Sequence, residues 1–533
     1  MTLPAVSDQI TGRKQMITFI IGIVILIVGG LLYGKLCEKV FAPDDRKTPA
    51  FEHRDGVDYV PMKKWKNCLV NLLNIAGTGP ILGPIQGILF GPVAFITIPI
   101  GCVIGGAMHD YFNGMICTRE GGIQMPEMIK RHLPKGIFGF FTVFVCLTLF
   151  LCGVVFIYTP GDIAANQLLR GSSGSGNGSL VTLIIYGIIF AYYLVATVLP
   201  IDKIIGKVYP ILGGILIISA LGIFVMLFAG GYQLCELWGD WTLGSFDFYA
   251  YFRSQHFIPI FFVTVACGIM SGFHGSQTAL VSRTLENEKH GRMAFYNMMI
   301  CEGFIAMVWA AGTMAVIGIG AESGGITMQF TDAGWRYFQS VNGVLTQISP
   351  TSAVGVICRK LLGDVGGVIA IIGVIILPIT SGDTALRSMR LMISETFHIK
   401  QDSISKRMLL ALPIFILALV VLIWAKNDPN GFNTIWRYFG WANQTLTIFA
   451  TSSIMIYLIH HGKGHFAWMP SIPLIFYSFM TSYYILTATI GLSLNFRLAS
   501  IIAGIFTTFV FVGTEYIGRR KHAASVLHLH KEK

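Results

Sequence analysis

The stretch NIAGTGPILGPIQG, from Asn74 to Gly87, lies inside a run apolar enough to cross a bilayer, yet it holds the residues least suited to a continuous helix. Gly77, Gly79 and Gly83 let the chain unwind, while Pro80 and Pro84 each remove a backbone donor and clash with the preceding turn. In hydrocarbon, a backbone group that loses its partner costs several kcal/mol unless something else satisfies it. The peptide groups freed between Gly77 and Pro80 therefore need a partner.

Composition bounds the answer. Of 533 residues, 54% are hydrophobic and 12% charged, and mean hydropathy is +0.67. A soluble chain would carry about twice that charge. Apolar runs of about 20 residues recur along the length, as in an all-α polytopic membrane protein. They lack the two-residue alternation of barrel strands. The 60 glycines fit, since glycine is common in membrane helices. The ten cysteines include no C-x-x-C pair and lie mostly in apolar runs, so they read as small buried hydrophobes with no metal site or disulfide framework implied. The run 16–34 is long and lacks an A-x-A site, which makes it a span and not a cleaved leader.

About thirteen spans are expected: 16–34, 68–90, 92–113, 137–160, 181–199, 206–228, 257–284, 293–319, 366–393, 408–425, 435–460, 469–490 and 497–518. Lysine and arginine concentrate in 114–136, 283–292, 386–407 and the C-terminal tail, which fall on one side, the cytoplasmic one by the positive-inside rule. The alternate loops, including the Gly/Ser connector 170–179, are poorer in basic residues. The N-terminus then lies outside, against which Arg13 and Lys14 count mildly. The net charge of +11 reads as topology, with anionic lipid as the neighbour, and not as a nucleic-acid footprint. Residues 321–350 are too polar to cross, and 328–350 are expected to lie over the helices from outside.

A second interruption, CGIMSGFHGSQT (267–278), falls within 257–284. Any one of its glycines could simply let a neighbouring helix approach; together with Ser271, His274, Ser276 and Gln277 at membrane depth they mark a break. Each broken span is followed by four ordinary ones, and five being odd, the second set enters from the opposite side. This points to an inverted repeat with the site between the breaks. Half-helix ends there offer N–H and C=O groups that a bound solute or ion can satisfy. The expected segments are 1–66 (an extra span and loop), 67–256 and 257–460 (two five-helix repeats) and 461–533 (two further spans and a basic tail).

The candidate substrate contacts are Gly77, Thr78 and Gly79 at the first break, Ser271, Gly272, His274, Ser276 and Gln277 at the second, and Asn443. Asn443 and its neighbour Gln444 read equally as interhelical hydrogen bonds. Glu302 sits about ten residues, or roughly 15 Å, into its span, where an ionisable group is by default functional and suited to carrying a proton; a carboxyl satisfied by a neighbouring helix is the plainer reading. Lys207 either snorkels to the surface or places its ammonium against an unwound helix. Thr380, Ser381 and Asp383 offer oxygens for a hard cation or a proton, unless Asp383 pairs with Arg387 at i,i+4. His109-Asp110 is either a pH-sensitive gate or an interfacial pair. No H-E-x-x-H, Walker A or G-x-S-x-G motif occurs, so ATP-driven pumping and intramembrane hydrolysis lack their marks, and no enzyme is expected.

The segments NIAGTGPILGP (74–84), GGAMHDYFNGM (105–115), SGFHGSQTALVSRTLE (271–286), ITSGDTALRSMRL (379–391) and WRYFGWANQ (436–444) together resemble the carbon starvation protein A (CstA) family. The resemblance implies a bacterial inner-membrane secondary carrier of the LeuT-like (APC-type) fold, importing short peptides or, in some members, pyruvate, with proton coupling. It would make 68–90 and 257–284 the first and sixth core helices, 366–393 the eighth, and put Lys207 on the fifth, where some proton-coupled relatives carry a lysine in place of sodium. The partners are then a small-molecule or peptide substrate and the lipid bilayer, with a homo-oligomer allowed and no nucleic acid. No cofactor is expected beyond the proton gradient, with sodium as the alternative. A nutrient sensor is the competing class, although no cytoplasmic loop is long enough for a signalling domain; a channel would need a continuous polar pore.

Overall fold

The computed structural model describes residues 16–169, 177–198, 201–331, 334–428 and 431–531. Arg13, Lys14, most of the connector 170–179 and the side chain of Lys207 lie outside the described residues. The chain is overwhelmingly helical. Among the described residues, ten helices are long and apolar enough to cross a membrane, eleven if the bent pair Lys64–Ala76 and Gly79–Phe90 is one span, against the thirteen expected. Two expected segments fall short. Residues 257–284 are cut into Phe257–Thr264, Ala266–Ile269 and Gly272–Ser282, and the helix Trp468–Thr487 is diluted by serine, threonine and tyrosine.

The architecture is the LeuT-like five-plus-five inverted repeat with two discontinuous helices. The pair Lys64–Ala76 and Gly79–Phe90 bends by 47° at its break. Gly77 turns the chain there with φ 48 and ψ −143, a conformation with positive φ that glycine adopts without steric cost. Gly79, Gly83 and Gly87 then form one face at i+4 spacing, and the second broken helix lies directly on it. A Cβ at Gly79 would stand 2.0 Å from Cys267 Cβ, one at Gly83 2.7 Å from Thr264 O, and one at Gly87 2.2 Å from Val265 Cγ2. These glycines thus serve close approach of the two broken helices as well as unwinding.

The basic segments meet at one end of the molecule. Arg119 and Arg46 both reach Glu288, Arg283 pairs with Glu395 at 2.7 Å, and Lys521 bonds Arg131 O. At the opposite end the backbone N–H groups of Ile17 and Thr18 donate to the Glu236 carboxylate at 2.7 and 2.8 Å, so a side chain of the 229–256 loop caps the first helix. The segment 321–350 does lie over the helices at that end, as a feature the sequence reading left undescribed: a three-stranded antiparallel sheet of Thr327–Thr331, Gly334–Val341 and Val344–Ile348. Its second hairpin turns at Asn342-Gly343, both with positive φ, the dipeptide favoured for a tight hairpin. Tyr337 anchors the sheet by donating to Ile85 O at 3.0 Å. The helical stretch Pro350–Thr396 begins well before the expected 366 and is broken at Gly363, with φ 70. On the outside, Ile501, Ile505, Phe509 and Val512 expose their side chains along one helix face, as a lipid-facing surface requires.

Candidate functional site

The two breaks are satisfied differently from a bare half-helix. At the first, Leu73 O accepts from Ser381 Oγ at 2.8 Å and from Thr380 Oγ1 at 3.4 Å. At the second, Asn443 Oδ1 accepts from Phe273 N at 2.7 Å and from Ser271 Oγ at 3.0 Å, and Gln444 Nε2 donates to Met270 O at 2.8 Å. Part of the answer to the freed peptide groups is therefore the protein's own side chains, drawn from the helices Pro350–Thr396 and Gly431–His460. Asn443 is a partner of the broken backbone itself.

A buried ionisable cluster lies beside the second break. His274 Nδ1 is 2.9 Å from Asp110 Oδ2, whose other oxygen is 2.8 Å from His109 Nδ1. His274 Nε2 faces Glu302 Oε2 at 3.6 Å. All four side chains are buried, and neither Glu302 oxygen nor His274 Nε2 has a hydrogen-bond partner among the described residues. Three elements converge to build it. Asp110 follows a widened helical turn, Cys102–Ala107, of the kind that recurs at functional sites. Glu302 sits on Asn297–Ile319, held close because a Cβ at Gly268 would stand only 2.7 Å from Ala306 Cβ. Cys267 completes the group from the near side of the break; one ligating atom from each of Cys267, His274 and Glu302 lies within 4.8 Å of the others.

A second polar group surrounds Asp383. The Tyr209 hydroxyl lies 3.2 Å from Asp383 Oδ2 and 2.9 Å from Thr380 O, while the buried Asp383 Oδ1 has no hydrogen-bond partner among the described residues. Arg387 is directed to the Ala196 carbonyl and to Asp58, the latter at 3.8 Å. Lys207 belongs to the same helix as Tyr209, Ile201–Ala229.

The remaining candidates are dispersed. Ser276 bonds locally to Phe273 O at 2.6 Å, and Gln277 Oε1 accepts from Ser388 Oγ at 3.3 Å with its amide nitrogen unpartnered. Thr78 Oγ1 at the first break is buried with no hydrogen-bond partner among the described residues. Gly272 packs against the Gly431–His460 helix, where its Cβ would lie 2.3 Å from Leu446 Cβ. Sequence reasoning missed Asn74 and Asn113, buried with neither amide atom partnered among the described residues, and the link from Asp110 to His274. Asn67, Asn71 and Asn74 form an i, i+4, i+7 stripe in an apolar span. Asn67 and Asn71 bond Thr284 Oγ1 and Ala294 O, leaving Asn74 beside the break. That stripe was a readable signal. Unpartnered buried polar atoms are rare and mark places where water or solute completes the network.

Fold and site define a membrane transporter of the LeuT type. The sequence profile described as carbon starvation protein CstA matches residues 14–170, 157–322 and 339–484, and the chain belongs to that family. A membrane protein of Haemophilus influenzae is 38% identical over 338 residues, 55% of this chain and 89% of that one. The peptide transporter CstA of Campylobacter jejuni is 23% identical, covering 86% of this chain and 78% of its own; that of Escherichia coli is 24% identical, covering 84% and 77%. Among solved structures, a manganese transporter of Eremococcus coleocola in mutant form superposes with TM-score 0.55 at 11% identity, over 88% of this chain and 99% of that one. MhsT in complex with L-phenylalanine superposes with TM-score 0.53 at 10% identity, over 85% and 99%.

Proposed function

We propose that the protein is a proton-coupled importer of short peptides, working by alternating access between residues 67–256 and 257–460, with its basic end cytoplasmic and no enzymatic step. The observation that carries the coupling is the buried Asp110–His274–Glu302 chain beside the second break. Buried ionisable residues at membrane depth that contact one another are the usual parts of a proton relay. Protonation of Glu302 removes a charge from between two helices that must separate, so the proton and the opening of the break are linked. The peptide substrate is supported by the names of the Campylobacter and Escherichia relatives.

Sodium coupling is the second reading, favoured by one arrangement. Ser381 and Thr380 hydroxyls converge on Leu73 O, with the unpartnered Asp383 Oδ1 on the same helix, as hard oxygen donors. The test is uptake by purified protein in liposomes, comparing labelled tripeptide with labelled pyruvate under an imposed inward proton gradient. Peptide accumulation that collapses with a protonophore and ignores sodium is expected. Accumulation of pyruvate alone makes the protein a pyruvate/proton symporter, sodium dependence moves the coupling to Ser381 and Asp383, and binding without uptake makes it a sensor.

A further inference from the structure

We infer that Cys267, His274 and Glu302 form a binding site for a single divalent transition cation of the zinc–cobalt class. A thiol, an imidazole and a carboxylate are the donor set such borderline ions prefer, and three protein ligands leave a fourth position for water or a substrate atom. The ligating atoms already lie within 4.8 Å of one another, all in buried side chains.

The spacing leaves room for an ion between imidazole and carboxylate. A charge-assisted hydrogen bond between imidazole and carboxylate would close to about 2.7–2.9 Å. His274 Nε2 and Glu302 Oε2 stand 3.6 Å apart, and both Glu302 oxygens are unpartnered. Metal–ligand lengths for nitrogen and oxygen place those two atoms about 3.3 Å apart across a tetrahedral edge. The His274–Glu302 spacing therefore needs an adjustment of a few tenths of an ångström at most.

The surroundings complete the design. Asp110 Oδ2 accepts from His274 Nδ1 at 2.9 Å, which fixes the imidazole and leaves Nε2 bare as the ligand atom, the carboxylate–histidine–metal relay of well-built sites. His109 holds the other Asp110 oxygen at 2.8 Å. Asn443 Nδ2, 3.8 Å from Cys267 Sγ, is placed to support a thiolate. Cys267 precedes the break and His274 follows it, with Ser271 between them in an extended conformation, so opening of the break is also the route of entry. A bound ion would tie both halves of the second broken helix to the Asn297–Ile319 helix.

The site is tested on the full, tag-free chain in detergent by titration with cobalt(II). The expected result is one cobalt per chain with a thiolate-to-cobalt charge-transfer band, bleached by stoichiometric zinc and absent from Cys267→Ser. Asp110→Asn, a positioning change, should keep the band and weaken cobalt binding by about 10- to 100-fold. Zinc should raise the melting temperature of the wild type and leave that of Cys267→Ser unmoved, the two proteins melting alike without metal. No band, or one that survives Cys267→Ser, overturns the proposal. Transport is not read in this experiment, so its failure leaves proton-coupled import standing, and failure of import leaves the site.

Discussion

Glu302 holds its carboxyl where no hydrogen bond reaches it and a histidine nitrogen lies 3.6 Å away. Burying such a group as a charge is costly, which fits a carboxyl that takes up and releases a proton during the cycle. Glu302→Gln keeps the shape and removes the titration. It should abolish gradient-driven accumulation while leaving peptide exchange across liposomes at near wild-type rates. Loss of exchange as well would make Glu302 part of the substrate site. Asn443 makes a different kind of contribution, because its Oδ1 takes the Phe273 N–H freed by the break. Asn443→Ala should destabilise the protein by about 1–3 kcal/mol, the cost of stranding a buried donor, read as a lower melting temperature in detergent. An unchanged melting temperature would mean that water replaces the amide.

The broken helices were legible as elements because their signals are local: glycine and proline act on their own backbone, whatever lies around them. Gly77 turns where the sequence says it must. The role of Gly79 was not legible, since it depends on Cys267 arriving from another element with its Cβ 2.0 Å from where a side chain would start. Gly79→Ala should cost about 1–3 kcal/mol by overpacking and impair uptake. Cys267→Gly in the same chain, which removes the opposing Cβ, should recover most of the loss; a double variant no better than Gly79→Ala would show that the glycine is needed for its backbone alone. The pairing of Asp110 with His274 was hidden in the same way. The two are 164 residues apart, and the widened turn Cys102–Ala107 shifts the register of the face that meets the break. The sheet at 327–348 was missed for another reason: its strands pair over the helix ends in a segment read only for its polarity, although Asn342-Gly343 marked the turn.

At the scale of the whole molecule, hydropathy and the parity of the spans pointed to the inverted repeat, while among the described residues ten helices, or eleven with the bent pair, are long and apolar enough to cross, because the others expected are broken or rich in hydroxyl groups. The Glu236 carboxylate joins the first helix to the loop 229–256 through Ile17, Thr18 and the Thr18 hydroxyl. Glu236→Ala should loosen that helix without touching the site, giving faster proteolysis at its N-terminal end and unchanged peptide affinity.

Whether a proton travels with the solute through His274 and Glu302 is read by proton influx itself. Liposomes loaded with a pH-sensitive dye and holding the purified protein would receive tripeptide from outside with no imposed gradient. Acidification of the lumen that starts with the peptide, requires no sodium and is absent from Glu302→Gln is the predicted result. Peptide entry with no change in internal pH would mean that the solute crosses without a proton.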